Sequence, residues 1–229
     1  MDKIVEVMQF HHNAVVESLR YKRGIDYYPV DRIHTYEYLK SFPEWTEKIG
    51  KYFEELHSES LGVVHVDICG RTEAQSLGAD KSYCFSLKAS DITRAFAPPH
   101  QLFFDGDIFN TTDFSSFIKL IKDEKPALIT FEPLAGLEDH MNSPDKNITY
   151  SILLKRLRSL LKVMQSGGFI YISKPFNDID MVVEFMEGKS QFEYTFTHKL
   201  KEFVKSLDCR IEVISSLGGP YFLIQKLNS

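Results

Sequence analysis

Apolar residues recur at helical spacing at the start of the chain, at Ile4, Met8, Val15, Val16 and Leu19, until Tyr27-Tyr28-Pro29 interrupts the pattern. Asp31 is placed to cap a short helix that carries Ile33 and Tyr36. Ser41 and Glu44 have the spacing of a capping box with Pro43 inside it. Trp45, Ile49, Tyr52, Phe53 and Leu56 then make one apolar stripe that stops at the polar run His57 to Ser60. The pattern predicts a helical N-terminal arm or cap over residues 1–60, whose Tyr27-Tyr28 and Trp45 regions are expected to cover a ligand cleft.

From Gly62 the rhythm changes to short apolar runs separated by helical stretches, which is how a parallel sheet built from βαβ units reads. Strands are expected at Gly62 to Asp67, Ser82 to Leu87, Leu102 to Asp105, Ala127 to Phe131 and Phe169 to Ser173. Helices are expected at Thr72 to Leu77, Asp91 to Phe96, Asp113 to Ile121 and Ile148 to Met164, the last stopped by a left-handed glycine in Gly167-Gly168. Phe192, Phe196, Leu200, Phe203, Val204 and Leu207 define one further long helix. No βα unit follows it. Cys209 to Ser215 and Tyr221 to Leu227 instead form an antiparallel hairpin around Leu217-Gly218-Gly219-Pro220. The expected fold is α/β, a Rossmann-like and mostly parallel seven-stranded sheet with a C-terminal antiparallel hairpin, occupying residues 61–229 behind the arm.

A chain of 229 residues suits one domain with an extension, and 43% hydrophobic with 26% charged residues excludes a disordered one. With 27 basic against 32 acidic residues the net charge is −5, which argues against a binder of the nucleic-acid backbone. Cys69, Cys84 and Cys209 are odd in number and far apart, so neither a disulfide framework nor a Cys-x-x-Cys metal site is expected, and a cytoplasmic setting fits. No apolar run reaches the roughly 18 residues of a membrane span, and the N-terminus lacks the pattern of a secretory leader. The sequons at Asn110 and Asn147 read as helix starts. The histidines, His65 and His140 among them, show no ligand spacing, so no metal is expected. Lys155, Arg156, Arg158 and Lys162 read as a solvated helix face opposite Leu153, Leu157 and Leu161.

Ligands of open α/β sheets sit beyond the carboxyl ends of the strands, at the point where the strand order reverses, so strand ends are where chemistry is sought. Strand one ends Val66-Asp67 and turns through Ile68-Cys69-Gly70-Arg71 into a helix. A carboxylate, a tight turn and a helix N-terminus together offer an acid for an amine or hydroxyl and backbone donors for an anion, although Asp67 and Gly70 can equally be turn and cap. Strand three ends Asp105-Gly106-Asp107-Ile108, either a carboxylate pair facing a ligand or a plain turn. Strand four ends Thr130-Phe131-Glu132-Pro133 and opens a polar loop from Leu134 to Asn147.

Strand order, closing hairpin, Asp67-Ile-Cys-Gly70, Asp105-Gly-Asp107 and Gly167-Gly168 together resemble class I S-adenosylmethionine-dependent methyltransferases, across roughly Leu61 to Leu227. The resemblance implies S-adenosylmethionine as cofactor. It places Asp67, Ile68, Cys69, Gly70 and Arg71 at the methionine part, Ser86 and Leu87 at the ribose, and Asp105, Gly106, Asp107 and Ile108 at adenine. Asp107 would accept the adenine amine, while Asp105 would chiefly stabilise the turn, and Phe131, Glu132 and Pro133 would line the reacting end. A narrower likeness, Gly167-Gly168 through Ser173-Lys174-Pro175-Phe176, resembles RNA ribose 2′-O-methyltransferases and suggests Lys174, Glu212 and Glu132 as catalytic candidates. The implied function is methyl transfer to a small molecule or to an RNA ribose 2′-hydroxyl. Two alternatives stay open: a catalytically degenerate methyltransferase-like binding module, and a nucleotide-dependent oxidoreductase in which Lys88 receives a ribose phosphate.

Overall fold

The computed structural model describes residues 3–6, 39, 41–68, 78–86, 100–131, 145–172, 191–216 and 219–227. The expected helices at residues 31–36, 72–77 and 91–96, and the first helix beyond Glu6, lie outside that set.

Seven strands form one sheet: β1 (Val64–Ile68), β2 (Lys81–Ser86), β3 (Gln101–Asp105), β4 (Leu128–Phe131), β5 (Phe169–Ile172), β6 (Cys209–Ser216) and β7 (Gly219–Lys226). Their order is β3-β2-β1-β4-β5-β7-β6. β1 to β5 pair in parallel, whereas β7 runs antiparallel to β5 and to β6, so the sheet is mostly parallel with the expected closing hairpin. The register sets β1 beside both β2 and β4, with Asp67 opposite Cys84 on one side and Thr130 on the other.

Strand alternation divides the sheet into two faces. One face presents Val64, Val66, Ile68, Tyr83, Phe85, Ile129, Phe131, Ile170, Ile172, Phe222 and Ile224, packed against helices α2 (Thr111–Ile121), α3 (Lys146–Val163) and α4 (Gln191–Lys205). Phe114, Phe117 and Ile121 of α2 are buried there, and Phe117 lies 4.8 Å from the Phe85 ring centroid in a cluster that includes Phe104. Burial of each such ring contributes on the order of 1.5–3 kcal/mol before entropy is counted.

The other face is covered at β4, β5 and β7 by helix α1 (Pro43–Ser58). Trp45, Ile49, Phe53 and Leu56, the stripe legible in the sequence, are buried against Leu128, Phe169, Tyr171, Tyr221 and Leu223. Trp45 is 2% exposed, so the arm's single tryptophan is core material shared with the sheet. The start of α1 differs from the expected capping box. Pro43 opens the helix, Phe42 holds the N-cap position, and no side chain makes the cap hydrogen bond. Thr46 instead turns its hydroxyl back onto the Leu39 and Phe42 carbonyls, and the Phe42 ring packs 4.8 Å from that of Tyr221, so aromatic burial places this terminus.

The glycine pair also acts differently from a helix stop. α3 ends at Val163, where Lys226 Nζ donates to the Met164 carbonyl at 2.8 Å, a cation on the negative end of the helix. Gly167, with φ +81°, makes the turn that follows, and a Cβ on it would meet Tyr52 Cε2 at 2.9 Å. Tyr52 donates its hydroxyl to the Ser166 carbonyl at 2.6 Å, which holds α1 against this turn. Gly167→Ala should therefore cost about 1–3 kcal/mol through its left-handed backbone and the ring contact combined. A double-mutant cycle with Tyr52→Ala, read by urea unfolding, should show the two sites coupled; additive losses would mean that ring and glycine do not meet.

Candidate functional site

The sheet reverses its order between β1 and β4, because the chain moves outward from β1 to β2 and β3 and then returns to β4 on the other side. In open α/β sheets such a point is where a ligand crevice forms, at the carboxyl ends of the strands. Asp67 and Ile68 end β1 there, and Thr130 and Phe131 end β4.

Four polar side chains lie buried on the α1 side of these central strands: Ser82, His65, Thr130 and Asp67, at 2, 1, 3 and 1% exposure. They form one chain of hydrogen bonds. Ser82 Oγ is 3.0 Å from His65 Nδ1, His65 Nε2 is 2.8 Å from Thr130 Oγ1, and Thr130 Oγ1 donates to Asp67 Oδ1 at 2.7 Å. The direction of every proton follows from the last bond, because a carboxylate only accepts. Thr130 spends its proton on Asp67, so it accepts from Nε2–H of His65, and the unprotonated Nδ1 accepts from Ser82. Complete burial pushes the His65 pKa down to about 3, which keeps the ring in this neutral form.

The turn after β3 is built from its own side chains. Asp107 Oδ1 accepts the Phe109 N–H at 2.8 Å, the Asp107 N–H donates to Asp113 Oδ2 at 3.1 Å, and Asn110 caps α2 by accepting from Thr112 and Asp113. Gly106 is required for closeness, since a Cβ there would stand 2.8 Å from Phe85 Cε2 and 3.1 Å from Asp113 Cβ. Arg156 of α3 donates Nε to the Ile108 carbonyl at 2.9 Å and lies over the Phe114 ring. This corrects the reading of Arg156 as part of a solvated face. Burial lowers the guanidinium pKa and the Asp107 charge opposes that shift. Within this turn Asp105 is exposed, whereas Asp107 is 4% exposed and also supports the turn through the Phe109 N–H.

Of the residues singled out in the sequence, Asp67, Ile68, Ser86, Asp105, Gly106, Asp107, Ile108 and Phe131 therefore cluster at the carboxyl ends of β1 to β4. The Gly106 N–H donates to the Ser86 carbonyl at 2.8 Å, joining the ends of β2 and β3. Cys69, Gly70, Arg71, Leu87, Lys88, Glu132, Pro133 and Lys174 lie outside the described residues. Glu212 is elsewhere. It sits in the edge strand β6, accepting from Trp45 Nε1 at 3.0 Å and paired with Lys48 at 2.6 Å, so its carboxylate anchors α1. His65, Thr130 and Ser82 were given no role at the site in the sequence. The available signal was the spacing of two between His65 and Asp67, which puts both on one face of a strand.

Two features bear on what this cluster can hold. Among the described residues no group of His, Cys, Asp and Glu is arranged to hold a metal ion. A cavity of about 510 Å³ lies between α3 and α4, lined by Tyr150, Leu154, Lys155, Arg158, Lys199 and Phe203, on the opposite side of the sheet from Asp67. The strand ends themselves supply a buried carboxylate at β1, a hydroxyl at β2 and a second carboxylate after β3, groups that suit a small polar ligand carrying amines or hydroxyls.

No family model and no curated protein matches the chain. Its fold does match solved structures. The plantazolicin methyltransferase BpumL, solved with a monoazolic desmethylPZN analog and SAH, superposes with a TM-score of 0.50 at 13% identity, over 99% of this chain and 98% of that one. An O-methyltransferase family protein from Burkholderia thailandensis reaches 0.49 at 10% identity over 85% of this chain, which spans only 58% of that protein's length. The N-methyltransferase NodS from Bradyrhizobium japonicum WM9 reaches 0.43 at 14% identity, over 81% of this chain and 96% of that one. The strand order and the full-length match to BpumL show a Rossmann-like α/β fold, mostly parallel with a closing antiparallel hairpin, shared with that methyltransferase.

The buried imidazole makes stability depend on pH. Below about pH 6.5 the unfolded chain binds a proton at His65, whereas the folded chain does so only near pH 3. His65 therefore costs nothing above about pH 7, and its contribution erodes stability by about 1.4 kcal/mol per unit as the pH falls between those limits. Urea unfolding of wild type and His65→Gln from pH 7 to 4.5 should show a steeper acid loss in the wild type; parallel curves would mean that the ring is protonated in the folded state.

Proposed function

We propose that the chain is a methyltransferase that binds S-adenosylmethionine at the carboxyl ends of β1 to β3 and methylates a small molecule. The observation that carries the reading is the buried Asp67 at the end of β1, held by Thr130 across the point where the strand order reverses. Asp67 would receive the amino group of the methionine part, Ser86 a ribose hydroxyl, and the rigid turn from Gly106 to Ile108 the adenine edge, with Asp107 accepting the amine. Cys69, Gly70 and Arg71 follow Asp67 in sequence and would complete the first turn around the methionine carboxylate.

The cofactor, when bound, supplies a methyl group activated by its sulfonium centre. What the protein contributes is placement: fixed partners at both ends of an elongated ligand hold the methyl in line with the acceptor, and such positioning can account for most of the acceleration. Glu132, next in sequence after Phe131, is the proposed base for an acidic or hydroxyl acceptor. A small-molecule acceptor is favoured over an RNA ribose because Glu212, one of the three residues that the ribose reading needs, is bound to Trp45 and Lys48. Among the described residues Cys84 and Cys209 are not joined in a disulfide, which accords with the cytoplasmic setting that forms part of the same reading.

Calorimetric titration with S-adenosylhomocysteine tests the proposal directly. Wild type should bind, and Asp67→Ala should weaken binding by about tenfold or more, the loss of a hydrogen bond to a charged group. Asp107→Ala should lower both affinity and melting temperature, since it also strands the buried Phe109 N–H. A wild-type protein that does not bind the ligand at any accessible concentration would remove the methyltransferase reading.

A further inference from the structure

We propose that Thr130 is a positioning residue for the cofactor's amino group: together with His65 and Ser82 it aims the Asp67 carboxylate and so selects ligands that carry an amino-acid part. The inference rests on the methyltransferase reading, and it concerns residues of β1, β2 and β4 to which the sequence assigned no role. Asp67 lies on a strand whose neighbours on both sides contribute to one directed chain, Ser82 to His65 to Thr130 to Asp67, with spacings of 3.0, 2.8 and 2.7 Å. Each link removes a freedom from the next. Asp67 takes the Thr130 proton, the Thr130 hydroxyl then accepts from Nε2–H of His65, and the Ser82 hydroxyl, donating to Nδ1, holds the ring in that tautomer.

Two physical arguments give this chain a purpose beyond holding the sheet. A sheet interior needs no side-chain hydrogen bonds of its own, so a run of three polar side chains on adjacent strands is there to serve the buried Asp67 carboxylate on which it ends. A chain that terminates on a carboxylate also polarises progressively along its length, so the Thr130 bond is stronger than an isolated one and fixes the rotamer of Asp67. A β-branched residue is the suitable choice at position 130, since threonine has few rotamers to lose. The result is a carboxylate whose orientation is set before the ligand arrives, and pre-organisation of this kind reduces the ordering cost of binding.

The experiment compares two ligands that share an adenosine part. S-adenosylhomocysteine carries the amino group; 5′-methylthioadenosine lacks the whole amino-acid end. Thr130→Val preserves side-chain shape and removes the hydroxyl. It should weaken S-adenosylhomocysteine binding by about tenfold or more while leaving methylthioadenosine affinity unchanged, and Thr130→Ser should restore most of the loss. Ser82→Ala, remote from the ligand, should give the same selectivity at about two- to threefold, and it serves as the test if Thr130→Val does not fold. Equal weakening of both ligands would show a role in the sheet alone and overturn the proposal. So would unchanged affinity for S-adenosylhomocysteine in a folded Thr130→Val, or in Ser82→Ala where it stands in. Failure of the wild type to bind either ligand would count against the methyltransferase reading itself, a result separate from these.

Discussion

The structure is organised around a constraint on β1: two of its side chains, His65 and Asp67, are polar, point to the same face and are almost fully buried. A buried polar group without a partner costs about 1–3 kcal/mol, and an uncompensated charge costs more. The neighbouring strands must therefore present hydroxyls at the right register, and Ser82 on β2 and Thr130 on β4 do so. The result ties together the three strands that flank the reversal of strand order.

The remaining layers frame these strands. On one face, α2, α3 and α4 bury an aromatic and aliphatic core that runs the width of the sheet. On the other, α1 covers the apolar half of β4, β5 and β7. The face is thus divided into an apolar part that packs a helix and a polar part at β1, β2 and β4 that closes on itself. Charged side chains that resemble catalytic or solvated groups when read singly hold these layers in place. Glu212 fastens α1 through Trp45 and Lys48, and Arg156 fastens α3 to the turn after β3. A site on such a scaffold gains its precision from rigid supports, while the variable chemistry falls to the segments that leave the strand ends.

Most of the fold was legible in the chain, for an identifiable reason. Alternation along strands, the stripe of α1 and the spacing of Phe114, Phe117 and Ile121 are local consequences of burying one face, so the periodicity records them. The closing hairpin was legible because its two strands are too close in sequence for a crossover helix. Among site residues, Asp67 and the turn from Asp105 to Ile108 were found by position at strand ends, a rule about topology that sequence order suffices to apply.

What only the tertiary structure decided are pairings between residues far apart in the chain. Thr130 meets Asp67 across 63 positions, Trp45 meets Glu212 across 167, and Arg156 reaches Ile108 across 48. A threonine inside an apolar run, an arginine on a helix with basic neighbours and a glutamate on an edge strand each carry no local mark of a partner. Their roles depend on which strands become adjacent and in what register, and a shift of one residue would turn Thr130 to the opposite face. The sequence by itself therefore determined the elements, their order and the acids at the strand ends. The register and the packing decided which of the buried polar groups act together, because a hydrogen bond depends on distance and direction, and neither is written in the order of residues.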